Sequence, residues 1–463
     1  MGEDTLNSRG SQNRPIHSDD GTPQSGEPFS EHKDITSCHS AGRVPELALV
    51  LENLTASVQS ALSYMEGPLK DTIECSLHHD ERLPETRCSV VATKAIDTLH
   101  RAQQLLEPRS VILADHFLGY VSSKCLSAAV EQGIPDLLAK GPMGLSQLAE
   151  ESKSRFDRLG QVMRVLYNNS IFSYDDVTGL YRNNATSRLL LSSHWTQWCN
   201  WVELYGTQFY DAARAIPAAT KSEVTKSAAQ ISFNTDLNMF SYFQEQGWVE
   251  ILHRTLSGGA QAQAPGILED YPWADLADGE NMVLMDIGGG GGGLLAALLR
   301  RFENLRGGLF DLPHVIEHTR ALFHAKDGVY ADVGNRVSPA HLVGGDFFQE
   351  VPRCEIYTMK WCLHDWKDDD AVRILTTIRR AILVRPKSRL IVMESILADG
   401  QSQRLTRYAD IHMMMVTNGQ ERTESQWNQL AMRSGWDVNH IYNLRDAWVK
   451  AIEMKPVSIE TES

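Results

Sequence analysis

Paired cysteines are missing from this sequence. Its seven cysteines are odd in number, widely spaced and without a CxxC pair. Disulfide frameworks and zinc sites usually show paired spacing. No clustered set of histidines and acidic residues suggests another kind of metal site. We therefore expect reduced thiols and no metal.

Clustered positive charge and long apolar runs are missing too. The net charge is −15 and the basic residues are scattered, whereas a surface that binds phosphates needs clustered Lys and Arg. No apolar run is long enough to cross a bilayer, and the first residues lack the basic start and apolar core of a secretory signal. These absences predict no nucleic-acid partner, no membrane association and a cytoplasmic location.

The chain is too long for one ordinary core, so we expect several regions. Residues 1–45 are rich in Ser, Gly, Asp, Glu and Pro, which predicts a disordered tail. Residues 46–265 have mainly helical spacing, starting with helices over about 46–106. Residues 266–463 alternate short apolar runs with helical segments, which is typical of an α/β domain.

A winged helix is predicted within the helical region, over about residues 111–195. GLSQLAEES and RFDRLGQVMRVLYNN have the pattern of two helices, and IFSYDDVTGLYRNN that of a hairpin. A DNA-binding winged helix needs a basic recognition helix, but the arginines here are balanced by Glu150, Glu151 and Asp157. A packing or dimerising module is therefore favoured over DNA binding.

Residues 196–259 are helical in pattern and rich in aromatic side chains. Most of these rings should belong to the core, although some can line a pocket for a flat ligand.

Six consecutive glycines, at positions 288–293, stand between an apolar run and a run of helix formers. Gly288, Gly290 and Gly293 satisfy GxGxxG, but six glycines do so trivially. The strand, glycine and helix order indicates close approach of backbone to a ligand. Asp311, at the end of the next strand, can accept hydrogen bonds from a ribose in enzymes that use NAD or S-adenosylmethionine. An NAD-dependent reductase is thus one alternative.

Two later strand ends carry further candidates. GGDFF places Asp346, an acceptor for an adenine amino group, beside the ring of Phe347. TMKWCLHDW presents Lys360, His364 and Asp365 where a catalytic group of a parallel sheet should lie. On position alone, His364 is equally well a hydrogen-bonded structural histidine.

The motifs DIGGGGGG, FDLPHVIE, GGDFF, MKWCLHDWKDDDA, MESIL and QERTESQW stand in this order and spacing. Together they resemble the plant caffeic-acid-type O-methyltransferases and their fungal secondary-metabolite relatives. The close match covers about residues 280–435, and a looser one reaches back to about residue 111. Departures include Gly291, where the family has Thr or Lys, Gly247 near a pocket methionine, and a shorter loop before Glu421.

The resemblance implies an α/β fold class. A Rossmann-like methyltransferase domain, with a mostly parallel seven-stranded sheet and helices on both faces, follows a mainly helical winged-helix dimerisation domain. It also implies a homodimer, S-adenosylmethionine as methyl donor and no metal. The donor contacts carried over by motif are Gly288, Asp311, Asp346, Phe347 and Lys360.

The resemblance further implies a reaction. His364 would be the general base, flanked by Glu394 and Glu421, in an in-line methyl transfer to a hydroxyl, expected to be phenolic, of a small aromatic or polyketide-like secondary metabolite. The acceptor side would include Met239, Phe243, Asp365 and Met413. Two alternatives within the fold stay open: a non-methylating reaction such as decarboxylation or cyclisation, and a non-catalytic partner in a biosynthetic complex.

Overall fold

The computed structural model describes residues 43–79, 81–277, 282–400 and 403–457. The tail predicted over residues 1–45 lies outside them except for residues 43–45, which begin the first helix. The chain divides into two compact units, Met1–Asp71 and Thr72–Ser463. In the first unit, α1 (Arg43–Glu66) buries none of its side chains. The next helix, α2 (Lys70–Leu77), begins at the end of this unit.

Two long helices open the second unit after α2. Helix α3 (Thr86–Leu106) begins where Glu85 accepts a hydrogen bond from the N–H of Cys88. Helix α4 (Arg109–Glu131) follows Pro108, whose fixed φ suits a helix start. None of the residues of α3 is buried, and Ala129 is the buried residue of α4.

The predicted winged helix is confirmed. Its elements are α5 (Ile134–Ala139), β1 (Met143–Gly144), α6 (Leu145–Glu151), α7 (Phe156–Asn168), β2 (Phe172–Asp175) and β3 (Leu180–Asn183). The strands form a small antiparallel sheet in the order β1-β3-β2. Leu148, Met163 and Phe172 pack in its core, so the helices and the hairpin share one hydrophobic cluster.

Short helices and one long helix lead to the second half of the chain. They are α8 (Ala185–Arg188), α9 (Trp198–Gly206), α10 (Gln208–Ala213), α11 (Ile216–Ala219), α12 (Ala228–Ser232), α13 (Met239–Gln246), α14 (Val249–Asp270) and α15 (Trp273–Ala277). Helix α14 continues through residues 259 and 265, where the sequence pattern places the end of the pocket helices and of the helical region. Pro265 lies inside it.

The glycines of α14 explain its course. A Cβ at Gly259 would lie 2.4 Å from the Trp201 ring, and one at Gly266 would lie 1.8 Å from the Arg445 carbonyl oxygen. These glycines let the helix pack closely against its neighbours, and the tertiary contacts outweigh their low helix propensity.

The rest of the chain forms the expected mixed, mostly parallel sheet. Its strands and helices are β4 (Met282–Ile287), α16 (Gly293–Arg301), β5 (Leu305–Asp311), α17 (Pro313–His324), β6 (Val337–Gly344), β7 (Ile356–Lys360), α18 (Asp368–Ala381), β8 (Arg389–Glu394), β9 (Ile396–Leu397), α19 (Arg404–Val416), β10 (Arg422–Thr423), α20 (Glu424–Arg433), β11 (Trp436–Asn443) and β12 (Lys450–Pro456). The seven-stranded order is β11-β12-β8-β7-β4-β5-β6, and a separate parallel pair joins β9 to β10.

Neighbouring strands from β8 to β6 run parallel, whereas β12 and β11 join antiparallel. One hydrophobic cluster, with Leu295 and Trp273, covers one face of this sheet, and another, with Ile374 and Trp427, covers the other. The carboxyl ends of the parallel strands therefore meet at one edge, which carries most of the predicted site residues. Within the described ranges, no helix is long and apolar enough to cross a membrane.

Candidate active site

His364 lies in a short 3-10 turn, Leu363–Asp365, just after β7. Its Nδ1 is 2.9 Å from Glu421 Oε1 and 3.2 Å from Glu394 Oε2. Both carboxylates are almost fully buried. Because carboxylate oxygens accept hydrogen bonds, Nδ1 carries the proton and the second nitrogen, Nε2, is the basic atom of the neutral ring.

The turn that carries His364 is fixed from two sides. Glu394 Oε1 accepts hydrogen bonds of 2.9 Å from the N–H groups of Cys362 and Leu363. On the other side, the fully buried Arg422 guanidinium donates to the carbonyl oxygens of Leu363 (3.0 Å) and Trp366 (2.6 Å). The imidazole is thereby held in one orientation without a hydrogen bond of its own to the backbone of the turn.

The loop before Glu421 packs directly on this turn. The N–H of Gln420 donates to the His364 carbonyl oxygen at 2.9 Å. A Cβ at Gly419 would lie 2.0 Å from that same oxygen, so the position excludes any side chain. The shorter loop noted in the sequence therefore still delivers Glu421 to Nδ1.

The charges around His364 decide its protonation. Burial of the ring disfavours the imidazolium, but the charges of Glu394 and Glu421 outweigh burial and raise the pKa of His364 to about 10. Burial in turn raises the pKa of both glutamates, although the charge of His364 opposes this. His364 is thus a much stronger base than a histidine in water.

The same three residues raise the question of a metal. One ligand atom from each of His364, Glu394 and Glu421 lies within 4.8 Å of the others, close enough to hold an ion. A proton on Nδ1 between two carboxylates accounts for this spacing equally well.

The glycine run forms a tight loop between β4 and α16. Gly288, Gly290 and Gly292 have φ of +67°, +56° and +81°, a left-handed backbone that glycine adopts without strain. The N–H of Gly290 donates to Asp311 Oδ2 at 2.9 Å, and the N–H of Leu312 donates to Oδ1 at 2.7 Å. Asp311 therefore ties the loop to the end of β5.

Two predicted donor contacts flank this loop. The N–H of Gly345 donates to the Asp311 carbonyl oxygen at 2.9 Å, which brings the GGDFF segment beside the end of β5. Within that segment Asp346 is exposed and Phe347 is half-buried, its ring packed edge-on against Trp366 with 5.9 Å between the ring centroids. Both side chains are thus available at the rim of the glycine loop.

Lys360 lies at the end of β7, next to the turn of His364. Its Nζ is 4.1 Å above the ring of Trp361. Burial lowers the pKa of Lys360 to about 8, opposed by the charges of Asp286 and Glu394. A Cβ at Gly288 would lie 3.1 Å from Cys362 Sγ, so Cys362, two residues before His364, packs against the glycine loop.

The predicted acceptor residues come together as well. Met239, Phe243 and Met413 belong to one hydrophobic cluster although they lie on α13 and α19. Met239 and Phe243 also line a small pocket with Phe233 and Tyr242. Asp365 lies elsewhere, with Oδ1 3.9 Å from His364 Nε2.

Some residues of the site were not found from the sequence. Arg422 adjoins Glu421 within QERTESQW, and its position in that motif was an available signal. His412 immediately precedes Met413, and its ring stacks on Tyr205 at 4.9 Å between centroids. Nothing in the sequence pattern pairs these two segments, which are far apart in the chain.

Comparison with known proteins adds to this geometry. A family model of the O-methyltransferase domain matches residues 279–437, and one of the O-methyltransferase dimerisation domain matches residues 114–193. O-methyltransferase aclM of Aspergillus oryzae is 51% identical over 414 residues, covering 89% of this chain and 95% of that protein. O-methyltransferase verK of Clonostachys rogersoniana is 46% identical, covering 88% and 99%.

Among solved structures, CalO1, a methyltransferase of calicheamicin biosynthesis in its S-adenosylhomocysteine-bound form, is similar to this chain. It is 25% identical with a TM-score of 0.64, and the match covers 75% of this chain and 98% of that one.

Proposed function

This chain belongs to the O-methyltransferase family, and from that premise we propose that it methylates a phenolic hydroxyl of a small aromatic or polyketide-like secondary metabolite, with His364 as the general base. The protein is an O-methyltransferase, and S-adenosylmethionine as its methyl donor is supported by the similar structure that binds S-adenosylhomocysteine. This membership removes the motivation for an NAD-dependent reductase. The position of His364 Nδ1 against two buried carboxylates is the observation that carries the proposal.

The donor site is proposed at the carboxyl edge of the sheet, with contacts from Gly288, Asp311, Asp346, Phe347 and Lys360. Each Asp311 oxygen accepts one backbone N–H and keeps a lone pair that a ribose hydroxyl can use. When bound, S-adenosylmethionine supplies a methyl group on a positively charged sulfur. Orientation of an acceptor oxygen in line with that methyl contributes about 7–11 kcal/mol for well-oriented reactants.

The acceptor is proposed to lie between His364 and the cluster of Met239, Phe243 and Met413, with Asp365 at its edge. A phenol, whose pKa is about 10 in water, has the same proton affinity as His364 in this setting. Transfer of the phenolic proton to Nε2 is then nearly balanced in free energy as the oxygen attacks. Glu394 and Glu421 keep the other proton on Nδ1 and stabilise the imidazolium.

The organisation of the chain follows from this assignment. We propose residues 266–463 as the donor-binding catalytic domain, residues 111–195 as the dimerisation module of a homodimer, and residues 196–259 as acceptor helices. The boundary at residue 265 separates two functional roles and not two structural elements, because α14 runs through it unbroken. We also propose that the enzyme acts in the cytoplasm without a metal, and the six described cysteines are free thiols.

The experiment uses purified enzyme, trideuteromethyl S-adenosylmethionine and a panel of phenols. We expect a product heavier by one labelled methyl group, and a reaction rate that is the same with and without EDTA. His364→Ala should lower kcat about 10²- to 10⁴-fold, because proton transfer by a positioned base is worth that much. Its affinity for S-adenosylhomocysteine, measured by calorimetry, should be retained, whereas Asp311→Ala should weaken it.

The matched control is His440→Ala, which removes an exposed histidine of β11. Full activity of His364→Ala would refute its role as base. A product that lacks the label but has lost carboxyl mass or closed a ring would instead favour the non-methylating alternative, and donor binding without turnover of any phenol would favour a non-catalytic partner.

A further inference from the structure

Four rings form a continuous column from the donor side of the site to the acceptor side. We define the aromatic column as Trp361, Trp201, Tyr205 and His412. Trp361 meets Trp201 edge-on at 6.1 Å, Trp201 stacks on Tyr205 at 5.4 Å, and Tyr205 stacks on His412 at 4.9 Å. The column begins beside Lys360, whose Nζ lies over the Trp361 ring.

The far end of the column joins the predicted acceptor cluster. Phe209 packs edge-on against both Tyr205 (5.1 Å) and His412 (4.6 Å). Phe209 also stacks on Phe243 at 5.9 Å. The aromatic column therefore connects the side chain predicted to touch the donor with one predicted to touch the acceptor.

Tyr205 is the accessible ring of the column. It keeps 39% of its surface exposed although Trp201, Phe209 and His412 surround it. Trp201 and Phe209 are themselves buried. An exposed ring held by buried rings is what the wall of a pocket for a flat ligand requires.

His412 supplies a polar atom to this apolar wall. Its Nε2 lies 3.4 Å from the Tyr205 hydroxyl. Burial and the nearby charge of His364 lower the pKa of His412 to about 3. The ring is thus neutral at physiological pH, able to accept or donate a hydrogen bond but not to compete with His364 for a proton.

We propose that Tyr205 and His412 select the acceptor, and that they favour a planar aromatic molecule with a second hydrogen-bonding group, a hydroxyl or carbonyl, next to the hydroxyl that is methylated. This inference rests on the proposed role of His364. The charge of His364 acts on His412, so the two histidines are near each other. With the reacting hydroxyl at His364, we expect a neighbouring polar group on the same ring edge to be directed towards the Tyr205 hydroxyl and His412 Nε2. An acceptor without that group leaves the Tyr205 hydroxyl and His412 Nε2 with a hydrogen bond only to each other.

The test compares 2,3-dihydroxynaphthalene with 2-naphthol. The two probes share a flat ring system and differ by one hydroxyl, which is adjacent to the first. Binding of each probe is measured by calorimetry on enzyme saturated with S-adenosylhomocysteine, so no turnover is needed. Wild-type enzyme should bind the diol about three- to tenfold more tightly, which is the worth of one hydrogen bond.

His412→Phe keeps the stacked ring but removes the polar nitrogen, and Tyr205→Phe removes the hydroxyl. The preference for the diol should fall to about one in His412→Phe and be reduced in Tyr205→Phe. His440→Phe, at an exposed histidine of β11, should keep it. Wild-type affinity for S-adenosylhomocysteine in each variant shows that the fold is intact, and the kcat and KM of both probes are then compared.

In His412→Phe and Tyr205→Phe, a rise in KM for the diol that is larger than any change in kcat would support a role in acceptor selection and not in the chemical step. The proposal is overturned if wild-type enzyme shows no preference, if neither probe binds, or if His412→Phe retains the preference. These outcomes are separate from failure of the proposed function, which would appear as probe binding without methyl transfer.

Discussion

At His364, the two carboxylates that orient the ring also set its affinity for a proton. Glu394 and Glu421 both face Nδ1, and their charges raise the pKa of His364 to about 10 against the effect of burial. At neutral pH the ring and a free phenol therefore both hold their protons. Methyl transfer needs one proton fewer, so the productive complex forms with release of a proton.

This raised pKa predicts the pH dependence of the reaction. Because the neutral fraction of His364 grows tenfold per pH unit below its pKa, kcat/KM for the acceptor should rise about tenfold per unit from about pH 7 to about pH 9 and level off near pH 10. Glu421→Gln still accepts from Nδ1–H but lacks the charge, so the pKa of His364 falls and the plateau begins at a lower pH.

The control for this profile is Glu424→Gln, which changes an exposed glutamate in the first turn of α20. It should reproduce the wild-type curve. A flat wild-type profile from about pH 7 to about pH 9 would contradict the assignment of His364 as a base of raised pKa.

At the scale of single residues, the sequence predicts which residues form the site better than it predicts the side chains that surround them. His364, Glu394 and Glu421 were predicted from their motifs, and their side chains lie in contact. Arg422 and His412 were not predicted, because their importance depends on burial and on partners such as Leu363 and Tyr205 that are distant in sequence. Motifs carry no information about such pairs.

Among the elements, the glycine loop between β4 and α16 depends on a left-handed backbone at three positions. Gly292 has φ of +81°, and a Cβ there would lie 2.6 Å from the ring of Phe323. Gly292→Ala should therefore weaken S-adenosylhomocysteine binding at least about fivefold and lower the melting temperature, since a left-handed backbone alone costs about 1 kcal/mol for a side chain. Calorimetry and thermal unfolding measure both effects.

The neighbouring Gly291 offers a matched control. A Cβ there would meet Leu322 at 3.7 Å, an ordinary contact. Gly291→Ala should bind S-adenosylhomocysteine like wild type. Equal behaviour of the two variants would argue against a backbone role for the loop in donor binding.

Element prediction succeeded where the pattern was local. The winged helix and the alternation of strands with helices in the second half of the chain were predicted from periodicity and turn residues, and both are present. The seven strands of the sheet were predicted from the family resemblance. Helix α14 shows the opposite case. Its Gly258, Gly259 and Pro265 predict an end of the helix, but close packing on Thr196 and Trp201 keeps it continuous. Local propensity is overridden by contacts that a single sequence does not display.

For the whole molecule, the helical half leaves large apolar side chains uncovered. Ile96 on α3 and Phe117 and Tyr120 on α4 are 64%, 67% and 55% exposed. Isolated helices with apolar residues in water are marginal, since most helix stability comes from packing. A second copy of the chain is the partner that the dimerisation-domain match supports.

We therefore expect a mass of twice 51.8 kDa by light scattering. Phe117→Glu should shift the population towards monomer, because a charge would be buried in the interface. Val384→Glu, at a similarly exposed valine outside this region (63%), should leave the mass unchanged. A monomeric wild-type mass would exclude the homodimer.

Helix α14 also has a mechanical consequence. Gly259 rests on Trp201, the adjacent Ala260 lies 3.9 Å from the Cβ position of Gly293 at the end of the donor loop, and Gly266 rests on Arg445. An unbroken helix behaves as a stiff lever over such short distances. Because both the aromatic column and the glycine loop pack against this helix, we expect a displacement of one to be transmitted to the other, which would couple the proposed donor and acceptor sites mechanically.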